Sequence, residues 1–107
     1  MYHDIFINEL ELWRSQGAKV VDVREASEYQ AGHIPGAINL PLSELETRAS
    51  ELTGKLVIVC QSGGRSRTAC DYLQLLGHAD LANLQGGTSA WVREGRTLET
   101  ELISSLT

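Results

Sequence analysis

A chain of 107 residues, 42% hydrophobic and 21% charged, has enough apolar side chains for a core, and its composition excludes wholesale disorder. Its length suits one compact domain and leaves no room for a second. With 14 Asp plus Glu against 9 Lys plus Arg, the net charge of −5 excludes a broad basic surface for nucleic acid, so an anionic ligand would need a local exception. Residues 1–6 lack a basic segment leading into an apolar one, and no signal peptide is expected. Residues 4–7 suit a short first strand. Asn8 is placed to cap a helix over residues 8–16, with Leu10 and Trp13 on one face and Gly17 as its stop. Residues 19–23 form an apolar run rich in β-branched side chains, the pattern of a strand buried on both faces. Residues 37–40 carry a weaker strand pattern. Over residues 43–52 the spacing predicts a helix, with Ser43 as N-cap, Glu46 three residues on and Gly54 beyond its end. Residues 55–59 repeat the buried-strand pattern, and the longest apolar run, 56–60, is far too short to span a membrane. Residues 66–76 place Ala69, Leu73 and Leu76 on one helical face before Gly77. A strand over 80–84 and a short helix over 88–94, closed by Gly95, complete the pattern. Residues 97–107 are polar with scattered Leu and read either as a docked strap or as a frayed end.

Alternating strands and helices of this length predict an α/β domain with a mostly parallel sheet and right-handed crossovers. In such sheets ligands sit beyond the carboxyl ends of the strands. The most informative end is Val59-Cys60-Gln61-Ser62-Gly63-Gly64-Arg65-Ser66. A buried strand delivers Cys60, and a helix begins near Ser66. Gly63 and Gly64 between them permit positive φ, which lets successive amides turn inward as an anion-binding nest. The partial positive charge of the helix N-terminus falls at the same place. Both devices favour a thiolate, whose pKa such surroundings lower from ~8.5 to ~3.5–7.5. Residues 55–70 contain no acid and do contain Arg65 and Arg67, which supplies the local exception. The bland reading of Cys60 is a small buried hydrophobe at a strand end. Cys70 falls inside the following helix beside its apolar face, as a core residue or as a thiol that resolves a bond to Cys60.

Other templates fail on counting. A nucleotide P-loop needs Lys after its final glycine, where this chain has Arg65. A cysteine phosphatase cradle sets its arginine one residue further from the cysteine, and a shorter loop surrounds a smaller group. No C-x-x-C occurs, and His3, His33 and His78 are isolated, so neither zinc nor another metal is expected.

Three stretches resemble the rhodanese family of sulfurtransferases in its single-domain form. Residues 29–40, Tyr-Gln-Ala-Gly-His-Ile-Pro-Gly-Ala-Ile-Asn-Leu, resemble the family's N-terminal signature, with Asp22-Val23-Arg24 and Glu28 ahead of them. Cys60-Gln61-Ser62-Gly63-Gly64-Arg65-Ser66 resembles its active-site loop. Leu84-Gln85-Gly86-Gly87-Thr88-Ser89-Ala90-Trp91 resembles its last-helix motif. The resemblance implies a five-stranded, mostly parallel sheet with helices on both faces. It also implies sulfur chemistry, since relatives with a loop one residue longer handle phosphate or arsenate.

The expected mechanism is covalent. The Cys60 thiolate takes the outer sulfur of thiosulfate or of a persulfide donor, and the resulting persulfide passes it to cyanide or a thiol. No cofactor, nucleic acid or membrane is called for, and the expected location is the cytoplasm. Amides from Gln61 to Arg65 hold the charged sulfur, and Ser62 adds a hydroxyl. Arg65 either positions the donor's sulfonate or braces the loop through backbone carbonyls. Asp22, Arg24 and Glu28 either pair to tie the second strand to the following turn, or Arg24 faces the pocket. His33 is read as bonding backbone, Gly36, Gly86 and Gly87 as turn glycines, and Trp13 and Trp91 as core aromatics. Two rival functions stand beside this one: a non-catalytic interaction module, and a persulfide relay to a sulfur-carrier or tRNA-thiolation protein.

Overall fold

The computed structural model describes residues 1–100. Five strands, β1 (His3–Ile5), β2 (Lys19–Asp22), β3 (Ile38–Asn39), β4 (Leu56–Val59) and β5 (Leu81–Leu84), form one sheet in the order β1-β5-β4-β2-β3. Every pairing is parallel. The helices are α1 (Ile7–Ser15), α2 (Ala26–Ala31), α3 (Leu45–Arg48), α4 (Gly64–Leu75) and α5 (Gly87–Arg93). None among the described residues is long and apolar enough to cross a membrane.

β4 is the centre of the sheet, paired with β2 on one side and β5 on the other. Its four residues are fully buried, and their alternation divides the core. Leu56 and Ile58 face a cluster with Leu45, Ala49 and Leu52 and with Ala69, Cys70 and Leu73 of α4. Val57 and Val59 face the opposite cluster with Ile7 and Leu10 of α1, Ile34 and Trp91 of α5. Burial of each large aliphatic contributes about 1.5–3 kcal/mol, and coverage on both faces explains why β4 reads as a continuous apolar run. The geometry sends the chain out of the middle of the sheet at Cys60.

Several sequence expectations change here. α1 starts at Ile7 rather than after an Asn8 cap, because the Glu9 carboxylate accepts the Phe6 amide at 3.0 Å and closes the first turn one step earlier. Residues 26–31, given no element in the sequence analysis, form helix α2, closed in the same way by Glu28 accepting the Glu25 amide at 3.1 Å. The predicted helix over 43–52 is broken into 3-10 turns at Leu42–Glu44 and Ala49–Glu51 around the single turn of α3. Ser43 does not cap it; its hydroxyl reaches the Glu25 carboxylate at 3.1 Å. α4 begins at Gly64, ahead of the expected Ser66. Trp91 is buried as expected, whereas Trp13 is only partly buried at the edge of its cluster.

The first part of the tail is a docked strap. Glu99 and His33 exchange backbone hydrogen bonds at 2.9 Å in both directions, the Trp91 indole N–H donates to the Thr97 carbonyl at 2.8 Å, and Leu98 packs on the α1/α5 cluster. The rest of the expected tail, 101–107, lies outside the described residues. His33 bonds backbone, its Nδ1 lying 2.9 Å from the Tyr29 carbonyl oxygen with the two rings stacked.

Candidate active site

Cys60 stands at the end of β4, 1% exposed. After it the chain turns tightly into α4, and the turn depends on Gly63, whose φ of +118° is a left-handed value that suits glycine. Gly64 contributes differently from expectation: it has no positive φ and is simply the first residue of α4. The turn brings the Gly63 amide to 3.0 Å from Cys60 Sγ. The amides of Ser62 and Ser66 also face the sulfur, and Ser66 Oγ lies 3.4 Å from it. The hydroxyl beside the sulfur is therefore that of Ser66, in the first turn of α4, while Ser62 is exposed.

The carbonyls of Cys60 and Gln61 point the other way, and α5 receives them. Thr88 N–H donates to the Cys60 carbonyl and Ser89 N–H to the Gln61 carbonyl, both at 2.9 Å, with the Thr88 hydroxyl adding a bond of 3.2 Å to the Cys60 carbonyl. Amides at a helix start lack intrahelical partners, so two elements satisfy each other here. With its carbonyls held outward, the loop keeps its N–H groups inward on the sulfur. Gly87 is indispensable to this contact: a Cβ there would lie 2.3 Å from the Cys60 carbonyl oxygen, and its φ is +55°.

Burial pushes the Cys60 thiol up, but the Ser66 hydroxyl and the amides of Ser66, Gly63 and Ser62 outweigh it and leave the pKa below the ordinary thiol value. Cys70, on the inner face of α4, has no such donors. Burial, with the negative charges of Asp71, Asp4 and an ionised Cys60 adding to it, pushes its thiol up to about 12.

Two ion pairs frame the loop, and their membership differs from expectation. Asp22 and Arg24 do pair, through Nη2–Oδ2 at 2.8 Å and Nε contacts at 3.1 Å, both side chains almost wholly buried. Arg24 also donates to the Gly32 carbonyl at 2.8 Å and to Gln61 Oε1 at 3.2 Å, so it both ties β2 to the following turn and touches the loop. Gln61 in turn donates from Nε2 to Ser89 Oγ at 2.8 Å. Glu28 does not join the Asp22–Arg24 pair. It accepts from both terminal nitrogens of Arg65, Nη1 at 2.7 Å on Oε1 and Nη2 at 3.0 Å on Oε2. Arg65 thus braces the loop through a carboxylate on α2 rather than through backbone carbonyls, and its charge is paired there. The bidentate bond to Arg65 holds the Glu28 carboxyl at about 2, and raises Arg65 in return.

A model of the rhodanese-like domain family matches residues 7–94. The chain belongs to that family. A sulfurtransferase of Allochromatium vinosum is 42% identical over 78 residues, 71% of this chain and 73% of the relative. The thiosulfate sulfurtransferase GlpE of Pseudomonas fluorescens (strain SBW25) is 38% identical over 80 residues, 73% of each. The crystal structure of a rhodanese-related protein from Thermoplasma volcanium superimposes with a TM-score of 0.82 at 32% identity, covering 92% of this chain and 98% of that one. The rhodanese-like chain therefore belongs with sulfurtransferases, and sulfur transfer is the kind of reaction its family supports.

Sequence reasoning placed Cys60 at the start of its loop, where the structure also has it, but missed neighbours that the fold supplies. Ser89 and Gly87 were read only as parts of a helix motif and a turn. Asn83 was absorbed into a strand; its signal was a polar residue at the centre of the buried run Leu81-Ala82-Asn83-Leu84.

Proposed function

We propose that the protein moves a sulfane sulfur by way of a persulfide on Cys60. The thiolate attacks the outer sulfur of thiosulfate, the S–S bond of the donor breaks, and sulfite leaves with that bond's electron pair. Cys60 then carries a persulfide, whose terminal sulfur is taken by cyanide or a thiol as the thiolate is regenerated. The observation that carries this reading is the Gly63 amide at 3.0 Å from Sγ, in a loop whose other inward amides also face the sulfur. They stabilise negative charge on the attacking thiolate and again when it is the leaving group, and no general base is required.

Pairing of Arg65 with Glu28 and of Arg24 with Asp22 leaves amide dipoles, rather than a free cation, as the main stabiliser of the anion. Cys60 itself is 1% exposed, while Gln61 and Ser62, which follow it in the loop, are exposed.

Intact-mass measurement after incubation with thiosulfate tests the proposal. The protein is expected to gain one sulfur atom that thiol reductants or cyanide remove, and Cys60→Ser is expected to gain none. No gain in the folded wild-type protein would overturn the persulfide. A persulfide that forms from thiosulfate but resists both cyanide and small thiols would overturn the assignment of those acceptors.

A further inference from the structure

Ser66 has one hydroxyl hydrogen and three neighbours able to accept it. Its Oγ lies 2.5 Å from Asn83 Oδ1, 3.1 Å from the Gly63 carbonyl oxygen and 3.4 Å from Cys60 Sγ. Asn83, on β5 beside β4, is completely buried, and its Nδ2 donates to Asp4 Oδ1 on β1 at 3.3 Å. An ionised carboxylate only accepts, so Asp4 keeps Nδ2 toward itself and leaves Oδ1 facing Ser66. The Gly63 carbonyl already accepts the Arg67 amide at 3.1 Å. The hydroxyl hydrogen therefore lies on Asn83, by far the shortest of the three contacts. What Ser66 then turns toward Cys60 is a lone pair, suited to accept the thiol S–H.

Ionisation of Cys60 reverses that demand. A thiolate has no hydrogen to give and accepts strongly, so it calls for the Ser66 hydrogen. Meeting the call strips Asn83 Oδ1 of its partner inside the core, where an unpaired acceptor is costly. We propose that Asn83 is a positioning residue that competes with the Cys60 sulfur for the single Ser66 hydrogen and so holds Cys60 nearer its thiol form in the resting protein. This deepens the reading of Cys60 as the sulfur-accepting nucleophile, and rests on it only for its consequence: the poise of the nucleophile is set across the chain Asp4–Asn83–Ser66–Cys60, from the edge strand to the centre of the sheet.

The ionisable groups around the sulfur are few. From α4 come Arg65, which is paired with Glu28 of α2, and Cys70, which keeps its proton to about pH 12. The Asp22–Arg24 pair flanks the loop from the end of β2, and Asp4 lies beyond Asn83 on β1. None of these charges changes when Asn83 is replaced by an apolar residue of similar size.

The test is a pH titration of the Cys60 thiolate in a Cys70→Ala background, by ultraviolet absorbance and by the rate of iodoacetamide alkylation. Asn83→Leu is expected to lower the midpoint by about one pK unit, which is about tenfold more thiolate below both midpoints. An unchanged or raised midpoint overturns the proposal. With Ser66→Ala also present, Asn83→Leu is expected to move nothing; the same fall there shows that the hydroxyl is not the route and overturns it too. Asp4→Ala provides the safeguard should Asn83→Leu fail to fold, since Asp4 is exposed and its loss frees the Asn83 amide to rotate. The midpoint is expected to fall further with Ser66 present than in the Ser66→Ala protein, and equal falls overturn the proposal. No sulfur donor enters these titrations, so their failure leaves the persulfide experiment standing, and failure of that experiment leaves them readable.

Discussion

The two cysteines occupy the same core cluster and are equally hidden from solvent, at 1% and 0% exposure, yet their thiols are shifted in opposite directions. Cys60 sits where the chain leaves β4, and a tight turn aims backbone amides at its sulfur. Cys70 sits inside α4, where the neighbouring amides are spent on the helix's own hydrogen bonds. Burial raises both thiols; the oriented donors lower Cys60, while nearby negative charges add to the rise of Cys70. The difference teaches that depth alone does not set a thiol's acidity here; the direction of the neighbouring backbone amides does much of it.

The strongest way to break the comparison is to exchange the roles. Cys60→Ser is expected to abolish sulfur uptake and cyanide-dependent turnover altogether, whereas Cys70→Ala is expected to retain both, measured by intact mass and initial rate. Loss of uptake in folded Cys70→Ala would make the second thiol a participant, as in the resolving role. A smaller blow falls on Gly87→Ala. Its Cβ would meet the Cys60 carbonyl at 2.3 Å and the Gln61 carbonyl at 2.8 Å, so α5 must withdraw and release the loop. Destabilisation of about 1–3 kcal/mol is expected in thermal or denaturant unfolding, with a slower Cys60 alkylation as its amides lose aim. That variant should make Cys60 more like Cys70.

Alkaline pH sharpens the contrast from the other side. Cys70 titrates near the ordinary ~8.5 when unfolded and at about 12 when folded, so the unfolded chain loses that proton first as pH rises. Stability is therefore expected to decline above pH ~8.5 and up to about 12, and Cys70→Ala should flatten that decline in urea titrations. The smallest effect belongs to Glu28→Gln. The wild-type carboxyl, held at about 2 in the fold against ~4.3 unfolded, contributes stability above the unfolded value that is lost as pH falls toward 2. Both side chains are more than a third exposed, at 38% and 36%, so screening limits the cost at neutral pH to about 1 kcal/mol or less. The difference between Glu28→Gln and wild type should vanish by about pH 2, and Arg65, freed from its partner, should lower the Cys60 midpoint slightly.

Much of the site was legible because it is local. Cys60 at a strand end, the glycine of the turn and the helix that follows are consecutive, and local chemistry dictates what such a segment does. The central strands were legible for a similar reason, since their apolar runs report burial directly. Helix α2 was not, because its cap is formed by two glutamates rather than by a small polar residue. Nor was the break in the 43–52 helix, where the segment divides among 3-10 turns and a single α-turn. The partner of Arg65 was illegible in principle: the acid-free window around Cys60 is real in the sequence, but α2 carries Glu28 into it from 37 residues away.

The sequence alone therefore singled out Cys60 as the candidate nucleophile and the kind of loop that carries it, since a thiol followed by a glycine turn and a helix start needs nothing distant to be recognised. Tertiary structure decided how that sulfur is tuned. It set α5 against the loop carbonyls so that the amides face inward, neutralised Arg65 with Glu28, and brought Asn83 and Asp4 to the hydroxyl beside the thiol. Each of those contacts joins residues far apart in the chain. Hydrogen-bond direction and proton count depend on where such residues meet, and no local pattern records that.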